Sequence, residues 1–412
     1  MTRVRMMPPA AAMVAASMLA ASMLAASMLV ASGAAFAAEP IKIAIVQGTS
    51  GATLDVYSKQ SQRGFMLGLE YATKGTMEVL GRKIEVILKD TQFKADVGRA
   101  KLAEAYGDDK VVLAVGPTSS GVAKAMLPVA QEYKRILVVE PAVADSITGA
   151  DWNRYIFKTS RNSSMDMQAQ AIALRPDKNL SVATLAQDYA FGRDAITAFK
   201  EALQGTGAQV VQEEYVPLNA TDLTAPVERI FEALKGKSGR KVILINWAGA
   251  PNPFDAVLAL QPQRYGISIS TGGNILPVLK VYKAMPGMEG AMYYYYEAPK
   301  NPVNDWLVKE HFKRFNEPPD FFTAGGFSAA MAVVTALNKA QSTDTEALIK
   351  AMEGMDFDTP KGRMHFRAED HQALQSMYHF KIRVDPKVEW AIPELVREIK
   401  PDEMKIPIRN TR

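Results

Sequence analysis

Residues 111–121 read V-V-L-A-V-G-P-T-S-S-G, and most of the architecture can be worked out from them. Residues 111–115 are apolar without polar alternation. A short run of that kind suits a strand covered on both faces, as in a parallel sheet flanked by helices. Gly116 and Pro117 end the run, and Thr118, Ser119 and Ser120 place three hydroxyls where a helix reaching about Tyr133 begins. Strand, small polar turn and helix form the unit, and the chain repeats it.

Upstream, residues 41–46 (I-K-I-A-I-V) end in Gln47-Gly48-Thr49-Ser50-Gly51, and a helix is expected from Gln60 to about Thr73. Gly81-Arg82-Lys83 turns into a strand at 84–88 that ends at Asp90, and a helix follows at 95–106. Residues 136–139 form the next strand. After Tyr155-Ile156-Phe157 the pattern restarts: helix 164–174, strand 180–185 ending in Gln187-Asp188-Tyr189-Ala190-Phe191-Gly192, then a helix to about Leu203. Strand 209–216, helix 223–235 and strand 241–245 come next, the last ending in Asn246-Trp247-Ala248-Gly249. A helix near 253–262 leads to strand 267–270, which ends in Thr271-Gly272-Gly273-Asn274. Two successive sets of βα units imply an α/β protein of two similar lobes, each a doubly wound parallel sheet.

Tyr293 to Tyr296 are expected as a strand leaving the second set. Asn301-Pro302 supplies an N-cap and a first-turn proline for a helix, and Thr343 and Glu346 have capping-box spacing for another. Residues 357–384 read as extended. The chain is therefore expected to return to the first lobe near 297 and to cross again near 377. This places 38–157 with 297–376 in an N-terminal lobe and 158–296 with 377–412 in a C-terminal lobe.

The first residues are a leader by composition. Arg3 and Arg5 precede an apolar segment in which A-A-S-M-L occurs three times, Ala35-Phe36-Ala37 closes it, and no acid stands before Glu39. Residues 1–37 are expected to be a signal peptide cut after Ala37, which makes the protein periplasmic. Beyond the leader no apolar run is long enough to span a bilayer. With no cysteine there is no disulfide, thiol nucleophile or cysteine-ligated metal. A net charge of +4 offers no case for nucleic acid. His311, His365, His371 and His379 are the only histidines, and surface or hydrogen-bonded roles are expected of them rather than metal binding. No Ser-His-Asp set, phosphate loop or dinucleotide turn is present, so neither an enzyme nor a cofactor is expected.

Ligands of open α/β sheets bind outside the carboxyl ends of the strands. Here those ends are small and polar in both halves, and free N–H groups at helix starts suit a carboxylate. In these segments the chain resembles the type I periplasmic binding proteins of ABC importers, in the hydrophobic amino acid and amide group. The resemblance rests on 41–51, Gly81 to Val86 with Asp90, Gly116 to Ser120, Val139-Glu140-Pro141-Ala142, Asp188 to Gly192 and Thr359-Pro360-Lys361-Gly362, in that order between about 41 and 395.

The resemblance implies two lobes joined by three crossovers that close on a small molecule. It implies that Thr118, Ser119 and Ser120 hold a ligand carboxylate, with Ala142 and Val143 beside them. It also implies that Phe191, next to Tyr189, covers the ligand, and that Tyr57 stands near the pocket. Ser50, Trp247 and Asn274, at other strand ends, complete the expected site, with Phe322 as a further apolar wall.

Members that bind amino acids tend to hold the ammonium with an acid at the position matching 271–275. This chain has none there, which leaves Glu140 or Asp145 as substitutes. A buried ammonium without an acid is costly. The expected ligand is therefore a small apolar or aromatic carboxylate, or an amide, delivered by a monomer to an ABC permease in the inner membrane. A branched-chain amino acid is the alternative ligand. A periplasmic sensor regulating a receptor is the alternative of another class.

Overall fold

The computed structural model describes residues 38–51 and 55–411, so the leader and its cleavage site lie outside the described residues. The first half runs β1 (Ile41–Gln47), α1 (Asp55–Ala72), β2 (Glu78–Val79), β3 (Arg82–Asp90), α2 (Ala95–Gly107), β4 (Leu113–Val115), α3 (Ser120–Tyr133), β5 (Ile136–Val139) and β6 (Ile156–Lys158). These strands make one six-stranded sheet in the order β2-β3-β1-β4-β5-β6. All neighbours are parallel except the β2–β3 hairpin; Ile43, for example, stands opposite Val86 on one side and Leu113 on the other. Ile41, Ile43, Ile45 and Val46 are essentially removed from water, as the unalternating run requires. Each such side chain contributes about 1.5–3 kcal/mol.

The second half runs α4 (Ser163–Leu174), β7 (Leu180–Gln187), α5 (Ala190–Ala202), β8 (Gln209–Val216), α6 (Thr224–Lys235), β9 (Arg240–Asn246), α7 (Phe254–Ala259), β10 (Ile267–Ser270), α8 (Leu276–Tyr282) and β11 (Glu289–Met292). Its parallel sheet has the order β10-β9-β7-β8. Read from its first strand and with the β2 hairpin strand set aside, this is the same winding as in the first sheet: the next strand lies on one side of the first, and the two after it lie on the other.

The last part supplies both halves. It runs α9 (Pro302–Phe315), α10 (Phe321–Ala340), α11 (Thr345–Met352), β12 (Asp356–Thr359), β13 (Gly362–Phe366), β14 (Ala373–Leu374), β15 (Met377–Arg383) and β16 (Ile392–Ile399). Phe357, Met364 and Phe366 join the core of the first sheet, whereas Tyr378, Phe380 and Ile382 join that of the second. β11, β15 and β16 form an antiparallel sheet of their own. Helix α10 is long and apolar enough to cross a membrane by length and composition, which the sequence reading overlooked, but most of it is buried inside the protein. It packs against α1 so closely that a Cβ on Gly64 would stand 1.9 Å from the Thr323 carbonyl oxygen.

Two local expectations are corrected. Tyr293 to Tyr296 are not a strand; β11 ends at Met292. The carbonyls that would enter a ladder are taken elsewhere: Asn274 donates to Tyr294, Asn304 to Tyr296, and the Ala298 N–H to Tyr295. The cap of α11 is Asp344, which accepts the Ala347 N–H at 3.0 Å, while Glu346 pairs with Arg154. The Asn301 cap on α9 forms as expected, accepting from the Asn304 N–H. His371 is buried, stacked on Phe157 and bonded to the Ile156 carbonyl; His365 meets Asp356.

Candidate functional site

Because both sheets wind alike, each has its switch point beside its first strand, between β1 and β4 and between β7 and β9. Crevices open there at the carboxyl ends. The ends of β4 and β5 on one side and of β7, β9 and β10 on the other line a single cavity of about 120 Å³.

The first edge is polar and small. Ser120, the first residue of α3, accepts the N–H groups of Val143 and Ala144 at 3.3 and 3.2 Å, which leaves its hydroxyl proton free to donate. The Thr118 hydroxyl meets that of Ser58, on α1, at 2.6 Å. The second edge is aromatic. Gln187, at the end of β7, grips Ala248 by both its N–H and its carbonyl, which fixes the loop carrying Trp247. Gly192 allows α5 to start against the β7 end, since a Cβ there would stand 2.0 Å from the Gln187 carbonyl oxygen. Phe191 and Tyr189 are held beside it with ring centroids 5.7 Å apart.

Tyr57 from α1 stacks on Phe322 from α10 at 4.5 Å, and its hydroxyl accepts the Gly249 N–H at 3.0 Å. Burial pushes the phenols of Tyr57, Tyr189 and Tyr293 above their ordinary value, so they stay protonated and able to donate at neutral pH. Trp247 and Tyr293 line the cavity, and the Nε1 of the one and the hydroxyl of the other are buried without a hydrogen-bond partner among the described residues. Arg161 and Asp166 stand on the same wall, the Arg161 Nε donating to Asp166 Oδ1 at 3.1 Å.

Of the residues expected from sequence, Tyr57, Thr118, Ser120, Val143, Tyr189, Phe191 and Trp247 line the cavity, as does Phe322. Four lie off its wall. Ser50 is exposed and donates to Asp90 at 2.5 Å. Ser119 is the N-cap of α3, and its side chain makes no capping bond. Ala142 is buried, with its carbonyl taken by the Ser160 hydroxyl at 2.6 Å. Asn274 turns to the Tyr294 carbonyl. Glu140 and Asp145 are also turned away: Thr159 donates to Glu140, and Ser164 donates to Asp145 through both its N–H and its hydroxyl. The acid on the cavity wall is Asp166.

Sequence reasoning missed Arg161, Asp166 and Tyr293. The strand-end rule would have found Arg161, which follows β6 as Thr118 follows β4.

Residues 40–387 match the family described as periplasmic binding protein. An ABC-type branched-chain amino acid transporter from Rhodopseudomonas palustris, of solved structure, is 63% identical, covers 90% of this chain and 100% of its own, and superposes with a TM-score of 0.81. A solute-binding protein from R. palustris BisB5, solved with 3,4-dihydroxybenzoic acid, is 25% identical over 88% of this chain and 98% of its own, with a TM-score of 0.76. A leucine-, isoleucine-, valine-, threonine- and alanine-binding protein from Pseudomonas aeruginosa is 24% identical over 81% of this chain and 87% of its own length. With the strand order, the paired sheets and the cavity between their carboxyl ends, these matches place the chain: it belongs to the type I periplasmic binding proteins, the solute-binding components of ABC transporters.

Proposed function

We propose that this protein captures a small aromatic or apolar carboxylate between two lobes in the periplasm and hands it to an ABC permease. The lobes are taken as 38–157 with 297–376 and 158–296 with 377–412, and the leader as ending at Ala37. The division of the core between β12–β13 and β15 supports these boundaries. The protein acts as a monomer.

The observation that carries the ligand class is a surplus of donors among rings. Among the described residues Trp247 Nε1 and the Tyr293 hydroxyl have no acceptor and the Ser120 hydroxyl donates to none, while Tyr189, Phe191 and Phe322 supply apolar faces. A ligand that fills such a site brings acceptors on a flat apolar body, which describes an aromatic acid. The 3,4-dihydroxybenzoic acid bound by the R. palustris BisB5 relative is of that class. A second reading, a branched-chain amino acid, is favoured by Asp166 on the cavity wall and by the names of two relatives. Calorimetric titration of the exported protein decides between them. The proposal expects 4-hydroxybenzoate to bind and leucine to give no heat; tight leucine binding with benzoates inert overturns the ligand class and leaves the transport role.

A further inference from the structure

We infer that Arg161 is the residue that recognises the ligand's negative charge, gripping a carboxylate with its two terminal nitrogens while Asp166 holds it from behind. The inference rests on the carboxylate reading above and names the group that makes it selective. Arg161 lies in the short connection between β6 and α4, where the chain leaves the first sheet. Its side chain is 13% exposed and lines the cavity. The guanidinium stands over the rings of Tyr293 and Phe321, at 5.2 and 5.1 Å from their centroids, in the corner where the two meet edge to face. Asp166, in the first turn of α4, takes the Nε–H, and α4 is itself capped by Asn162, which accepts the Met165 N–H at 2.8 Å. Ring, ring and carboxylate thus fix the plane and direction of the fork before any ligand arrives.

Among the described residues the Nε bond is the only hydrogen bond this guanidinium makes. Its terminal N–H groups are not among the fully buried atoms, so they stay open to solvent on the cavity side, and a carboxylate is the group whose geometry meets both at once. The neighbouring cations are already engaged. Lys158 Nζ donates to the Ala144 carbonyl at 2.9 Å, Lys361 Nζ to Gln375 at 2.9 Å, and Arg409 pairs with Glu201 and Asp145. Arg161 is the one Lys or Arg among the described residues of the cavity wall. The Ser120 hydroxyl then acts as an accessory donor rather than the main anchor.

The test is calorimetric titration of wild type, Arg161→Gln, Arg161→Lys and Asp166→Asn with two acids, 4-hydroxybenzoate and leucine, each beside its neutral primary amide. For whichever acid binds wild type, Arg161→Gln should weaken the acid by about 30-fold or more and the amide by no more than about threefold. Arg161→Lys, which keeps the charge without the fork, should lose about tenfold. Asp166→Asn should narrow the ratio of acid to amide affinity by less than Arg161→Gln does. Arg161→Gln binding the acid within about threefold of wild type overturns the inference, as does an equal loss of acid and amide, which marks a structural residue. Should Arg161→Gln fail to fold, Arg161→Lys carries the test, and wild-type affinity in it overturns the inference. Leucine binding with 4-hydroxybenzoate inert defeats the aromatic ligand alone, because Arg161 is then judged on leucine. A wild type that takes neither acid overturns both.

Discussion

The two strand edges that face each other across the cavity are wound alike and furnished differently. On the first sheet the βα turns offer Thr118 and Ser120, side chains small enough to leave backbone and hydroxyl groups in reach. On the second they offer Tyr189, Phe191 and Trp247. In the proposed reading one edge orients a polar group and the other covers an apolar body, and residues of both sheets line the cavity. The supports differ too. The polar edge leans on α1 and α10, whose contact brings in Ser58, Tyr57 and Phe322, whereas the aromatic edge is tied by side-chain bonds to its own backbone, from Gln187 to Ala248, from Asn246 to Phe191 and between Tyr57 and Gly249.

The contrast is broken most severely at Gly64. A Cβ at this position meets the Thr323 backbone, which cannot move away as a side chain tip would. Gly64→Ala should destabilise the protein by about 3 kcal/mol, read as a lower urea midpoint, and should take ligand affinity down with it. Unchanged stability would show that the helix pair has slack and that the polar edge does not depend on it.

Next comes pH. Glu140 stands at the end of β5, behind the polar edge, and burial pushes its carboxyl from 4.5 up to about 7, against the opposing pull of Arg161 and the Thr159 bond. The folded protein therefore holds a proton in this interval that the unfolded chain releases. Its contribution is full below about 4.5 and lost as pH rises through about 7, by up to about 3 kcal/mol. Glu140→Gln should flatten that fall in denaturant titrations between pH 5 and pH 8. A fall that persists unchanged in the variant would place its origin elsewhere.

The smallest effects sharpen the comparison within the site. Trp247→Ala should cost about 2 kcal/mol of 4-hydroxybenzoate binding by calorimetry, because it removes the largest ring of the aromatic edge. Ser119→Ala should cost less than about 0.5 kcal/mol, since no bond of its side chain is replaced. The reverse order would move the anchor back to the serine turn.

The fold was legible because both sheets are buried on two faces. Runs such as 111–115 and 136–139 carry no alternation to confuse with an exposed strand, and their polar ends mark the edge where the cavity lies. The aromatic wall of the cavity followed from the same rule. What escaped lies where carbonyls and carboxylates find partners far off in sequence. Ser50 looks like a pocket residue until Asp90, forty positions on, claims its hydroxyl. Glu140 and Asp145 look like spare acids until Thr159 and Ser164 are seen to hold them. Tyr293 to Tyr296 have strong strand preference, yet Asn274 and Asn304 take their carbonyls. Side-chain capture of backbone depends on tertiary placement, which no local pattern encodes.

The bond from the Gly249 N–H to the Tyr57 hydroxyl joins α1 to the loop after β9, and both elements contribute to the cavity wall. A hydrogen bond is a short-range tie: at 3.0 Å it is whole, and an ångström of widening ends it. Such a bond contributes about 0.5–1.5 kcal/mol net, so it weights the arrangement in which the two elements touch. A tie of this kind acts as a hasp rather than a funnel: it resists separation of the two elements and draws nothing toward them, so Tyr57→Phe should change a ligand's off-rate more than its on-rate.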